Sequence, residues 1–101
     1  MLKHYVLFTF EKDFFTDEHY QEFLTVFAEI KASVSGVLDV HIHRNCIDRP
    51  ANMDLMIEME LVDESILPLY LNHPSHIRMG QKYNPHVTHR VSFDYEVATT
   101  Q

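Results

Sequence analysis

Leu2-Lys3-His4-Tyr5-Val6-Leu7-Phe8-Thr9-Phe10, near the start of a 101-residue chain, is the stretch on which the fold turns. Side chains alternate along a strand, so Leu2, His4, Val6, Phe8 and Phe10 share one face, while Tyr5 and Leu7 make the other face apolar too. A strand that is apolar on both sides must be covered on both sides. The next element supplies one cover. Thr16 is a good N-cap, Asp17 and Glu18 place acid in the first turn, and Tyr20, Phe23, Leu24, Phe27, Ile30 and Val34 recur at the spacing of an amphipathic helix. Gly36 is expected to end that helix as its C′ residue.

The rest of the chain extends the pattern. Val37 to Arg44 suits a second strand, and the polar run Asp48-Arg49-Pro50-Ala51-Asn52 a turn. Met53 to Leu61 alternates Leu55, Ile57, Met59 and Leu61 against Asp54, Glu58 and Glu60, which predicts a third strand. A second helical region starts at Asp63 or Ser65, tolerates Pro68 only in its first turn, and breaks at His73-Pro74. A further turn or two runs to Tyr83, Asn84-Pro85 stops it, and Val87 to Val97 alternates as a fourth strand. The order β-α-β-β-α-β predicts an α+β, ferredoxin-like domain over residues 1–97, with a four-stranded antiparallel sheet and a short tail at 98–101. Both helices cover the same face. The face offering Tyr5 and Leu7 is left for a second copy, so a homodimer is expected.

Composition excludes several classes of function. Fifteen acidic against eight basic side chains leave a formal charge of −7. Nucleic acid demands a basic footprint, and an anionic membrane surface repels such a chain. Eight histidines would carry that charge to +1 if all were protonated, a composition open to a pH-sensing or metal reading and to an ordinary one. The single cysteine, Cys46, excludes an intramolecular disulfide and a multi-cysteine zinc site. The start, Met1-Leu2-Lys3-His4-Tyr5, has no signal-peptide design, and no apolar run reaches the ~20 residues of a membrane span, so a cytoplasmic protein is expected.

Chemistry concentrates in Tyr70-Leu71-Asn72-His73-Pro74-Ser75-His76, continuing to Gly80 and Tyr83. A tyrosine hydroxyl can donate to a carbonyl oxygen, and a neutral imidazole can take a proton near pH 7. His76, six residues after Tyr70 across a broken helix, can face the same cavity. Asp94 would accept from one nitrogen of His76, fixing the tautomer that leaves the other free as a base. The competing reading is a satisfied polar network holding the broken helix onto the last strand. His41 and His43 share a strand face at i, i+2, with His86 or His89 as candidates to approach across the sheet, yet exposed strand histidines explain the pair better than a metal. Neither a metal nor a cofactor is expected.

Lys3-His4, the phenylalanine-rich first helix, Tyr70-x-x-His73-Pro74-x-His76, Gly80, Tyr83 and the closing Phe93-Asp94-Tyr95 together give the chain a resemblance to the Dabb family, the stress-responsive A/B barrel domains. That resemblance implies a dimeric α/β barrel. It also implies site residues by way of the family's plant olivetolic acid cyclase, which closes a linear polyketide by an intramolecular aldol condensation. The cyclase's base matches His76, its tyrosine Tyr70, the carboxylate orienting the base Asp94, and a further pocket histidine His4. Phe27 stands where the plant enzyme is expected to carry a pocket tyrosine and cannot hydrogen-bond to substrate. Phe23, Phe27, His73 and Tyr83 are the candidate substrate-binding residues, with a small aromatic or polyketide-like ligand implied. The function expected is acid/base chemistry on a small carbonyl compound, of cyclase or lyase type. Two alternatives stand beside it: a stress-associated ligand-binding protein without turnover, and a cofactor-independent monooxygenase, for which the chain offers no tryptophan and only the topology.

Overall fold

In the computed structural model, which describes residues 1–98, β1 (Leu2–Phe10) is an interior strand, antiparallel to β3 (Leu55–Leu61) on one side and to β4 (Val87–Glu96) on the other. Strand β2 (Val37–Arg44) pairs antiparallel with β3, so the sheet runs β2-β3-β1-β4. Helices α1 (Asp17–Ser33), α2 (Ile66–Leu71) and α3 (Pro74–Tyr83), with a 3-10 turn at Asn84–His86, complete the ferredoxin-like arrangement. Of the expected tail, residues 99–101 lie outside the described residues.

Strand alternation sorts the two faces. Leu2, Val6 and Phe10 of β1 and Leu55, Ile57, Met59 and Leu61 of β3 are buried in one core with Phe23, Phe27 and Ile30 of α1, Tyr70 of α2, and Met79 and Tyr83 of α3. Tyr5, Leu7 and Met56 occupy the opposite face, half-buried. There Tyr5 stacks on Tyr95 at 6.0 Å, and Val91, Phe93 and Tyr95 of β4 are exposed. Phe93 keeps 66% of its surface in solvent, an apolar exposure that a lone sheet face does not normally carry.

Local chemistry sets the boundaries. Thr16 caps α1 as expected, its hydroxyl accepting from His19 N while His19 Nδ1 accepts from Thr16 N. The helix end differs from expectation. Val34 is the C-cap, and Gly36 lies beyond it without the left-handed backbone of a C′ glycine. What Gly36 supplies is space: a Cβ there would collide with Ile66 Cδ1, where the α2 region packs onto the turn. Strand β3 begins at Leu55, not Met53, because Asp54 spans the strand ends instead. Its N–H donates to Phe8 O and its carboxylate accepts from Phe10 N, each at 2.8 Å. Strand β4 ends at Glu96, although Val97 N still donates to Met1 O at 2.8 Å.

The second helical region is jointed. Asp63 accepts from Ser65 N at 2.8 Å, α2 starts at Ile66, and Pro68 sits in its first turn. His73 is extended (φ −63°, ψ 136°), as a residue before proline prefers, and Pro74 opens α3, where its missing N–H costs nothing.

Candidate active site

A cavity of about 280 Å³ lies between the sheet and the helices. Its walls are mainly apolar: Val6, Phe8 and Phe10 from β1, Phe23 and Phe27 from α1, and Met79 from α3. Polar side chains interrupt them. Tyr70 and His76 come from either side of the helix break, His4 from β1, and Arg90, Ser92 and Asp94 from alternate positions of β4.

Tyr70 is 2% exposed, and its ring packs edge-on against His76 (4.7 Å between centroids) and His4 (5.9 Å). Burial pushes the Tyr70 hydroxyl far above its usual pKa, so it remains a proton donor at every physiological pH. His76 is shifted the other way. Burial, with the nearby positive charge of Arg90 and contributions from His4 and His73, holds its pKa below 6.5 and keeps the imidazole neutral near pH 7; the Leu71 carbonyl only partly offsets this.

His76 Nδ1 lies 3.0 Å from that carbonyl. A carbonyl only accepts, so Nδ1 carries the proton and Nε2 keeps the lone pair. Leu71 is the last residue of α2, and its carbonyl is one that no helical N–H can satisfy. The expected Asp94–His76 pair is therefore corrected. Asp94 faces His4 across the β1–β4 register, with Nδ1 and Oδ1 2.5 Å apart, and the orienting role at His76 falls to the Leu71 carbonyl.

The other candidates divide. Phe23 and Phe27 are buried and line the cavity. Tyr83 presents its ring there, but its hydroxyl donates to Glu22 Oε1 at 2.5 Å, and burial together with that carboxylate pushes the Tyr83 hydroxyl up in pKa. Glu22 in turn is held below the usual carboxylate range by Lys82 and Tyr83. His73 is not brought to the cavity: its Nδ1 accepts from Ser75 N at 3.1 Å and caps α3. Arg90 and Ser92 were missed, although the period of two running back from Asp94 places them on the same face.

His41 and His43 lie 6.3 Å apart on β2, with His41 Nε2 2.9 Å from Asp39. His89 is on β4, at the opposite edge of the sheet, so it cannot approach them, and His86 instead pairs with Glu11 at 2.7 Å. Among the described residues no group of three or more His, Cys, Asp or Glu side chains is arranged to hold a metal, and no helix is long and apolar enough to cross a membrane.

Comparison with curated proteins finds no match. Solved structures share the fold. A dimeric ferredoxin-like protein of unknown function from Thermobifida fusca superposes with a TM-score of 0.78 at 19% identity, covering 95% of this chain and 90% of that one. A Dabb family protein with a ferredoxin-like fold from Mesorhizobium loti gives 0.72 at 21% identity and 97% of both chains. A hydroxynitrile lyase from Passiflora edulis gives 0.75 at 10% identity, over 99% of this chain and 95% of that one. The sequence profile of the Stress responsive A/B Barrel Domain, Dabb, matches residues 2–97, and the chain belongs to that family.

Proposed function

We propose that this protein is a homodimer whose cavity carries out general acid/base chemistry on a small carbonyl compound, of cyclase or lyase type. The observation that carries the chemistry is the 3.0 Å contact between His76 Nδ1 and the Leu71 carbonyl, which leaves Nε2 basic beside a buried, protonated Tyr70. In such a step Nε2 takes a proton from the carbon next to the carbonyl. The Tyr70 hydroxyl donates to the carbonyl oxygen as negative charge develops on it, and the imidazolium later returns the proton. His4, oriented by Asp94, lines the same cavity and serves as a second proton carrier. The mainly apolar walls lower the local polarity around Tyr70, which strengthens these interactions. The fold shared with a hydroxynitrile lyase is in keeping with a lyase-type reaction.

The dimer rests on the outer face. Tyr5, Leu7, Met56, Val91, Phe93 and Tyr95 form an apolar surface that the helices leave bare, and ferredoxin-like neighbours are dimeric. Packing two such faces together closes an α/β barrel and leaves the cavities on the outside of it.

Deuterium exchange tests the chemistry directly. Methyl ketones with aromatic or alkyl bodies, incubated with the protein in D2O and followed by NMR, should lose their α-proton signals faster than in buffer. His76→Ala should abolish the acceleration. Saturable binding without any exchange would replace the enzyme by a ligand-binding protein.

A further inference from the structure

We propose that Arg90 binds a carboxylate of the substrate, so that the compound handled in the cavity is an anionic carbonyl compound with an apolar or aromatic body. This inference rests on the acid/base reading of the same cavity and names its substrate class. Arg90 lies opposite Phe8 in the β1–β4 register, on the helix-covered face, and lines the cavity with Tyr70 and His76. Its guanidinium carbon stands 5.8 Å from the centre of the Phe8 ring, which supports the flat group while leaving its N–H fork available.

Among the described residues no ion pair engages it. Of those residues Lys3, Lys31, Arg44 and Lys82 are each matched with a carboxylate, whereas Arg90, like Lys12, Arg49 and Arg78, is matched with none; of these four only Arg90 lines the cavity. Asp94, the carboxylate lining the same cavity, is committed to His4. In a chain of net charge −7, a guanidinium without an ion pair at a mainly apolar cavity is where an acidic ligand finds complementary charge. A second copy stacked on the Tyr5 and Phe93 face would not cover it, because Arg90 is on the other side of the sheet. Arg90 and Asp94 are four positions apart along β4, roughly 13 Å of backbone. Along that length Arg90, Ser92 and Asp94 line the same cavity as Tyr70 and His76, so a small aromatic acid can set its carboxylate at Arg90 and its carbonyl toward the histidine side.

Two probes of nearly equal shape, 4-acetylbenzoate and its methyl ester, decide the matter on the full-length protein. Affinity is read by calorimetry and α-proton exchange by NMR in D2O. The acid should bind about tenfold more tightly than the ester, the value of one charge-assisted contact, and the preference should shrink with added salt. Arg90→Gln should erase the preference by lowering the acid's affinity to that of the ester, with the melting temperature unchanged, and Arg90→Lys should restore part of it. Equal affinities, a preference that survives Arg90→Gln, or no saturable binding of the acid would overturn the proposal. The two readings separate cleanly. Equal affinities with His76-dependent exchange sink the carboxylate and keep the acid/base chemistry. An Arg90-dependent preference without His76-dependent exchange keeps the anion site and sinks the chemistry.

Discussion

His76 occupies the position where two requirements meet: a lone pair free for the substrate and a proton held elsewhere. Replacing it with Ala should reduce turnover by about 10²–10⁴-fold, the usual worth of a positioned general base, as measured by α-proton exchange. Tyr70→Phe keeps the buried ring and deletes only the hydroxyl, so exchange should fall while the melting temperature holds. The pH profile carries a sign. A base whose pKa is depressed below 6.5 stays active until the pH falls through that lower value, so the acid limb of the rate should have its midpoint below 6.5. Stability follows the same direction: the unfolded chain binds the proton first, so the contribution of neutral His76 is present above pH 6.5 and is lost as pH falls from there towards the folded pKa. The convergence of Tyr70 and His76 was legible from their spacing across His73-Pro74. The partner of Asp94 was not, because it depends on which residues of β1 and β4 stand opposite one another, and register belongs to the assembled sheet. His73 misled for a related reason: capping a helix and lining a pocket draw on the same residue type.

Elements were readable where one local rule governs and less so where packing intervenes. The apolar period of α1 and the cap at Thr16 are local, and both ends of β2 follow from composition. Gly36 shows the opposite case. A glycine shortly after a helix suggests a left-handed turn, yet here it makes room for Ile66, thirty positions away in sequence, and no sequence pattern announces that contact. Gly36→Ala should therefore destabilise the protein by about 1–3 kcal/mol through crowding of a β-branched side chain with little rotameric freedom, as measured by urea unfolding. Combining it with Ile66→Ala should cost less than the sum of the two single changes, since the shorter side chain vacates the space the new methyl needs. If the two effects simply added, the contact would have no part in the Gly36 requirement.

At the scale of the whole molecule the sheet has one face filled by helices and one that remains apolar and bare. Phe93→Asp or Leu7→Asp should convert a dimer to monomer or aggregate, because a carboxylate buried without a partner costs several kcal/mol. Light scattering showing a monodisperse dimer in both variants would contradict the assignment of this face to the partner. The joint between α2 and α3 bears on time as well as geometry. Six residues closed off by His73-Pro74 are too few to be a stable helix alone, so α2 holds its shape only while it stays docked. It can open as a small cooperative unit while α1 and the sheet stay intact. Its amides should then exchange with D2O sooner than those in the middle of α1, and a ligand resting against Tyr70 should slow them. Rates of ligand entry and departure would be set by the breathing of this single helical turn and a half, leaving the rigid sheet to fix only where the ligand comes to rest.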